Sequence, residues 1–185
     1  APAGVGKTWV LAAIGANAMK RGKHIVHYSL ELNESYVGLR YDSIFTGIAN
    51  QNLKFHKEDV QSEMDKLKGD LVIKYFPTKT ASVNTLSAHL KRIINLGTQV
   101  DMVVVDYADI LKDTGKTREV RHALGNIYED LRGLAGEFEI PIWTASQANR
   151  SALDEDVIEA QKVSESYQKV MTADFVMSLS RKVED

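Results

Sequence analysis

Short β-branched runs alternate along the chain with longer stretches in which apolar residues recur at helical spacing, the pattern of an α/β domain built on a parallel sheet. An Ala-rich helix is expected from Lys7 to about Arg21, closed by Gly22. A strand follows over His24–Leu30, then a helix capped by Asn33 and running to about Phe45. His56–Leu67 reads as a helix and Leu71–Phe76 as a strand stopped by Pro77. Ser82 is placed to cap a helix that reaches about Asn95. Met102–Val105 is an unbroken apolar run, as expected for a central strand buried on both faces. A polar loop over Lys112–Arg118 leads to a long helix from Arg121 to about Phe138, although Gly125, Gly133 and Gly136 lower its intrinsic propensity. Ile140–Ala145 is a further strand, Asn149–Val163 a polar and mobile stretch, Ser164–Met171 a short helix, and Phe175–Ser180 a last strand.

Length and composition narrow the picture. The 185 residues suit one domain with a substantial core, and no internal repeat or domain boundary is visible. The absence of cysteine removes disulfides and thiolate metal sites. No apolar run approaches the length needed to span a bilayer, so a cytoplasmic enzyme is expected. A net charge of −2 provides no global basic field, and any nucleic-acid contact must come from local loops.

The candidate chemistry begins at once. Ala1-Pro2-Ala3-Gly4-Val5-Gly6-Lys7-Thr8 follows the phosphate-loop pattern, with Ala1 in place of the first glycine. Gly4 and Gly6 allow the backbone to fold around phosphate, Lys7 reaches the β- and γ-phosphates, and the Thr8 hydroxyl ligates Mg²⁺. The nucleotide cradle therefore comprises Ala3, Gly4, Val5, Gly6, Lys7, Thr8 and Trp9. Mg²⁺ also requires a carboxylate at the end of an apolar strand, the position of Asp106. Asp109, three residues on, reads as a loop residue. Glu31 ends its strand at the carboxyl edge of the sheet, where ligands bind in open α/β folds. There it is either solvated or placed to orient an attacking water.

Four segments, Ala1–Thr8, Tyr28-Ser-Leu-Glu31, Val103-Val-Val-Asp106-Tyr107 and Thr144-Ala-Ser-Gln147-Ala-Asn149-Arg150, together resemble the RecA-like ATPase core of DnaB-family hexameric replicative helicases. Lys74-Tyr-Phe-Pro-Thr78, Ile142–Ala145 and Thr172–Phe175 are similar to the T-even phage branch of that family. The resemblance implies ATP and Mg²⁺ as ligands and Lys7, Glu31 and Gln147 as catalytic residues. Glu31 would activate water, Asp106 would be the Walker B aspartate, and Gln147 would sense the γ-phosphate and relay nucleotide state to DNA-binding loops. Arg40 stands where the family also carries an arginine, but on a helix a surface ion pair is the preferred reading.

The resemblance further implies a hexameric ring on single-stranded DNA, an arginine finger from a neighbouring subunit, and primase and a helicase loader as partners. Ser164-Glu165-Ser166 falls where the family has an R-E-S-G-type loop, with Ser164 at the arginine position and Tyr167 at the glycine position. Lys162 and Lys169 are then candidates to supply the missing charge, and Lys112, Lys116, Arg118 and Arg121 form a second basic cluster. The strand that leads into the phosphate loop of such folds, central in the sheet, is expected to be missing, as are the C-terminal strands. Another RecA-like ATPase (a recombinase or a KaiC-like regulator) and an inactive fragment remain the alternatives.

Overall fold

The computed structural model describes residues 4–115, 120–147 and 168–180. Four parallel strands form one sheet in the order β2-β1-β3-β4: β1 Ile25–Ser29, β2 Leu71–Tyr75, β3 Met102–Asp106 and β4 Ile142–Thr144. Helices α1 (Lys7–Lys20), α2 (Glu34–Thr46), α3 (Lys57–Asp65), α4 (Val83–Asn95) and α5 (Val120–Phe138) connect or flank them, and α6 (Gln168–Thr172) follows β4. Every residue of β1 and β3 is buried, which explains why β3 reads as a continuous apolar run rather than an alternating one.

Alternate residues feed two cores. Val26, Tyr28, Val103 and Val105 pack with Leu86 and Leu90 of α4 and with Leu124, Ile127, Leu131 and Leu134 of α5. Ile25, Met102 and Val104 point to the opposite face, against Leu11, Ala12 and Ala16 of α1 and Val37, Tyr41 and Phe45 of α2. The caps expected from sequence are present. Asn33 accepts the Tyr36 N–H at 3.1 Å, and Ser82 forms a reciprocal capping box with Thr85. Despite its glycines, α5 runs for 19 residues, because the burial of its leucine and isoleucine stripe outweighs the propensity penalty.

One expected element is absent. Phe175–Ser180 has the composition of a strand but forms no ladder, and Phe175, Val176 and Met177 are each more than half exposed. An apolar cavity of about 660 Å³ lies between this segment and β4, lined by Val10 and Ile14 of α1, Leu131 of α5, Trp143 of β4, and Phe175 and Met177. With the cavity between them, the segment has no strand edge to pair with. The expectations for 149–163 and for the start of the helix at Ser164 lie outside the described residues.

On the α1–α2 side, β1 carries a fully buried histidine. His27 Nδ1 lies 3.0 Å from Tyr41 Oη, while its Nε2 has no hydrogen-bond partner among the described residues. Burial, aided by the positive charge of Arg40, lowers the His27 pKa to about 4. Since the unfolded chain binds this proton near pH 6.5 and the native chain does not, stability should fall as pH drops from about 6.5 toward about 4. The loss approaches about 3 kcal/mol at the lower end. Urea titrations across that range should show the slope in the parent chain and a flatter one in His27→Leu.

Candidate phosphate and metal site

Gly6 precedes α1 with φ of 100°, and Gly4 has φ of 77°, both left-handed conformations that favour glycine. Among the described residues no atom beyond the chain neighbours lies within 4 Å of where a Cβ would project at either glycine, so the space beside both is open. α1 lacks both a side-chain cap and an acidic residue in its first turn. Its leading N–H groups and the helix dipole are therefore oriented toward an external anion. Ala3 lies outside the described residues; Gly4, Val5 and Gly6 form the turn before α1, and Lys7, Thr8 and Trp9 open the helix.

The carboxyl edge of the sheet brings the other groups to this loop. In the β1–β3 ladder Ser29 is level with Asp106, and the Leu30 N–H donates to the Asp106 carbonyl at 2.9 Å. Glu31 consequently emerges next to the end of β3, with its side chain exposed. Asp106 is 1% exposed, and neither carboxylate oxygen completes a hydrogen bond among the described residues. Burial pushes its pKa up; the adjacent Thr8 hydroxyl opposes that rise, Glu31 adds to it, and Arg40 and Lys7 oppose it. A buried carboxylate without partners is costly in the absence of a counter-charge.

These residues fit a divalent cation of the Mg²⁺ type. Among the described residues no group of three or more His, Asp or Glu side chains converges, so a cage made wholly of protein ligands is not formed. Thr8 and Asp106 instead offer one hydroxyl and one carboxylate. That is the sparse ligand set Mg²⁺ takes when phosphate oxygens and water complete its shell.

Three residues refine the site beyond the sequence reading. Among the described residues Arg40 forms no ion pair. Its guanidinium lies 5.4 Å from the centroid of the Trp9 ring, its Nη1 is buried without a partner among the described residues, and it acts electrostatically on Asp106. Tyr107 lies under Lys7, whose Nζ is 5.6 Å from the ring centroid, and its hydroxyl accepts the Gln147 Nε2–H at 3.0 Å. Asp109 occupies a 3-10 turn over Ala108–Ile110 and receives the Gln147 backbone N–H at 3.1 Å. Adjacency to Asp106 was the only sequence signal for Tyr107, and nothing in the local pattern distinguished Asp109.

The candidate DNA contacts divide. Ser164, Glu165, Ser166, Lys162, Lys116 and Arg118 all lie outside the described residues, as does the side chain of Arg121. Lys112 is exposed. Lys169 is not a surface cation: its side chain is 2% exposed and bonded to Asp109 at 3.0 Å. The proximity of α5 and β4 carries it inward, so it cannot supply charge to a DNA loop.

The family model for the DnaB-like helicase C-terminal domain matches residues 1–184. A DnaB-like replicative helicase of Enterobacteria phage T4 is 26% identical over 95% of this chain and 39% of the relative. The replicative DNA helicase DnaB of Geobacillus stearothermophilus is 27% identical over 80% of this chain and 34% of its own length. The chain thus spans well under half of these relatives. Among solved structures, one described as an ATPase domain superposes with a TM-score of 0.77 at 18% identity, over 94% of this chain and 64% of that one. A DnaB-like replicative helicase described with its interactions with primase gives a TM-score of 0.78 at 19% identity, over 94% of this chain and 45% of that one. The parallel sheet flanked by helices is thus the RecA-like fold of helicase ATPase domains.

Neutralising Asp106 separates stability from binding. Asp106→Asn should raise the melting stability of the metal-free chain by about 1 kcal/mol or more, because it removes an uncompensated buried charge. Calorimetry should at the same time show Mg²⁺-dependent nucleotide binding weakened by roughly tenfold or more.

Proposed function

The chain belongs to the DnaB-like helicase C-terminal domain family, and from this premise we propose that it is the motor core of an ATP-dependent replicative DNA helicase. In this reading it couples Mg·ATP hydrolysis to translocation on single-stranded DNA and to duplex unwinding. The observation that carries the proposal is the unpartnered Asp106 carboxylate, next to the strand end that carries Glu31 and beside Thr8 of an open glycine loop.

Each residue then has a physical role. The backbone N–H groups at the start of α1 bind phosphate, and Lys7 neutralises charge on the β- and γ-oxygens. Thr8 and Asp106 would hold Mg²⁺, which would supply positive charge to offset that of the phosphates. Glu31, exposed at the edge, orients the attacking water and accepts its proton. Gln147, bonded to the hydroxyl of Tyr107, over whose ring Lys7 lies, senses the γ-phosphate in this reading. Arg40 and Trp9 form a flat cationic platform beside the loop, well shaped to hold the nucleotide against α1.

The remaining partners belong to the same proposal. Six subunits form a ring, a neighbour supplies the arginine that stabilises transition-state charge, and single-stranded DNA passes loops on the channel side. Primase and a loader act on the assembled protein in the cytoplasm. No helix among the described residues is long and apolar enough to cross a membrane. The cavity at the outer edge of β4 supports the further proposal that this is a RecA-like core in which another strand pairs beside β4. The family match along nearly the whole chain favours a helicase over a recombinase or a KaiC-like regulator.

ATPase assays with and without single-stranded DNA test this reading. Lys7→Ala should lose ATP binding by roughly tenfold or more, through the missing phosphate contact. Glu31→Gln should bind ATP normally but turn over about 100-fold more slowly. Turnover equal to the parent in both variants would reject the site assignment.

A further inference from the structure

A second aspartate lies one turn beyond the metal-site carboxylate, in the opposite electrostatic condition. Both Asp109 oxygens are occupied. Oδ1 accepts from Tyr128 Oη at 2.7 Å and from Lys169 Nζ at 3.0 Å. Oδ2 accepts from Ser146 Oγ at 3.0 Å and from the Gln147 N–H at 3.1 Å. Lys169 also donates to Ser146 Oγ at 3.3 Å and stands 5.6 Å from the centroid of the Tyr128 ring. One carboxylate therefore gathers donors from α5, from the segment after β4 and from α6.

These contacts continue to the phosphate loop. Lys7 lies over the Tyr107 ring, Tyr107 is bonded to the Gln147 side chain, and Gln147 is bonded through its backbone to Asp109, which holds Lys169. Gln147 is thus fixed at two points to the turn that follows β3. α6 is fixed to that turn by Lys169 and to α5 by Arg132, which donates to the Thr172 carbonyl and pairs with Asp174 at 2.8 Å. The Asp109–Lys169 pair is buried and holds its geometry tightly, since either partner left alone is a buried unpaired charge.

We propose that Asp109 and Lys169 form a buried coupling pair that makes the placement of α6 follow the position of Gln147, with both acting as positioning residues. The inference rests on the reading of Lys7 and Thr8 as a nucleotide site. Occupation of that site moves Gln147, its N–H carries Asp109 with it, and Asp109 carries Lys169. A residue with only a structural role would weaken α6 equally with and without nucleotide. A coupling residue would remove the difference.

Hydrogen-exchange mass spectrometry on the full chain, with Mg²⁺ and the β,γ-imido analogue of ATP or without nucleotide, reads that difference. In the parent chain nucleotide should slow exchange in both 7–20 and 168–172, the latter by about fivefold. Lys169→Met should leave the effect at 7–20 intact and reduce that at 168–172 to less than about twofold. Lys169→Arg, which keeps the charge, should restore it, and unchanged protection of β1 and β3 reports that each variant is folded. A nucleotide effect at 168–172 that is absent in the parent, or equal in parent and Lys169→Met, overturns the coupling proposal alone. No protection of 7–20 in the parent overturns the nucleotide-site reading, and the coupling with it.

Discussion

Parallel pairing sets Ser29 level with Asp106 and Val105 level with Thr144, so three strand ends reach one edge of the sheet together. Asp106, Glu31 and Gln147 are brought to that edge by the alignment. Slipping β1 by one residue would turn Val26 and Tyr28 out of the α4–α5 core and move Glu31 away from Asp106. The register is held because both faces of β1 and β3 are buried, one against α1 and α2, the other against α4 and α5. Stability of the sheet and geometry of the site are thus a single requirement.

The same turn treats two aspartates in opposite ways. Asp109 is saturated with donors and works as a structural junction, whereas Asp106 is buried with neither oxygen satisfied among the described residues. In electrostatic terms the first charge is compensated within the fold, and the second is the one the proposed metal site would use. Arg40 and Lys7 ease the cost of Asp106 at a distance without bonding to it, which leaves both of its oxygens open to a cation. An uncompensated charge that the fold goes to some length to bury has a functional explanation rather than a structural one.

How far the sequence anticipated this follows from the range of each interaction. Strand β3 was legible because burial on both faces writes an apolar run, and the caps at Asn33 and Ser82 because they act within three residues. The positions of Lys7 at a helix start and of Asp106 and Glu31 at strand ends were legible because the turn and strand signals around them are local. Lys169 was misread as a surface cation, since its partner Asp109 is 60 residues away and no local pattern marks a lysine for burial. Arg40 was misjudged for the same reason: on its helix it resembles any solvated residue, and only the fold brings Trp9 and Asp106 to it. Phe175–Ser180 failed for a different reason. Its composition favours a strand, but a strand exists only where an edge receives it.

That last failure bears on the loop itself. Val10 and Ile14 of α1 line the cavity between β4 and Phe175–Leu179, while Leu11, Ala12 and Ala16 are packed into the core. Helix α1 is therefore supported on its core side and open on its cavity side. Parallel strands gain most when both edges are paired and both faces covered, conditions that β1 and β3 meet and β4 does not. A strand entering the cavity would pair with β4, cover Val10 and Ile14, and offer its far edge to Phe175–Ser180. The orientation of α1, and with it the anion site at its first turn, is then set by the same contacts that would complete the sheet.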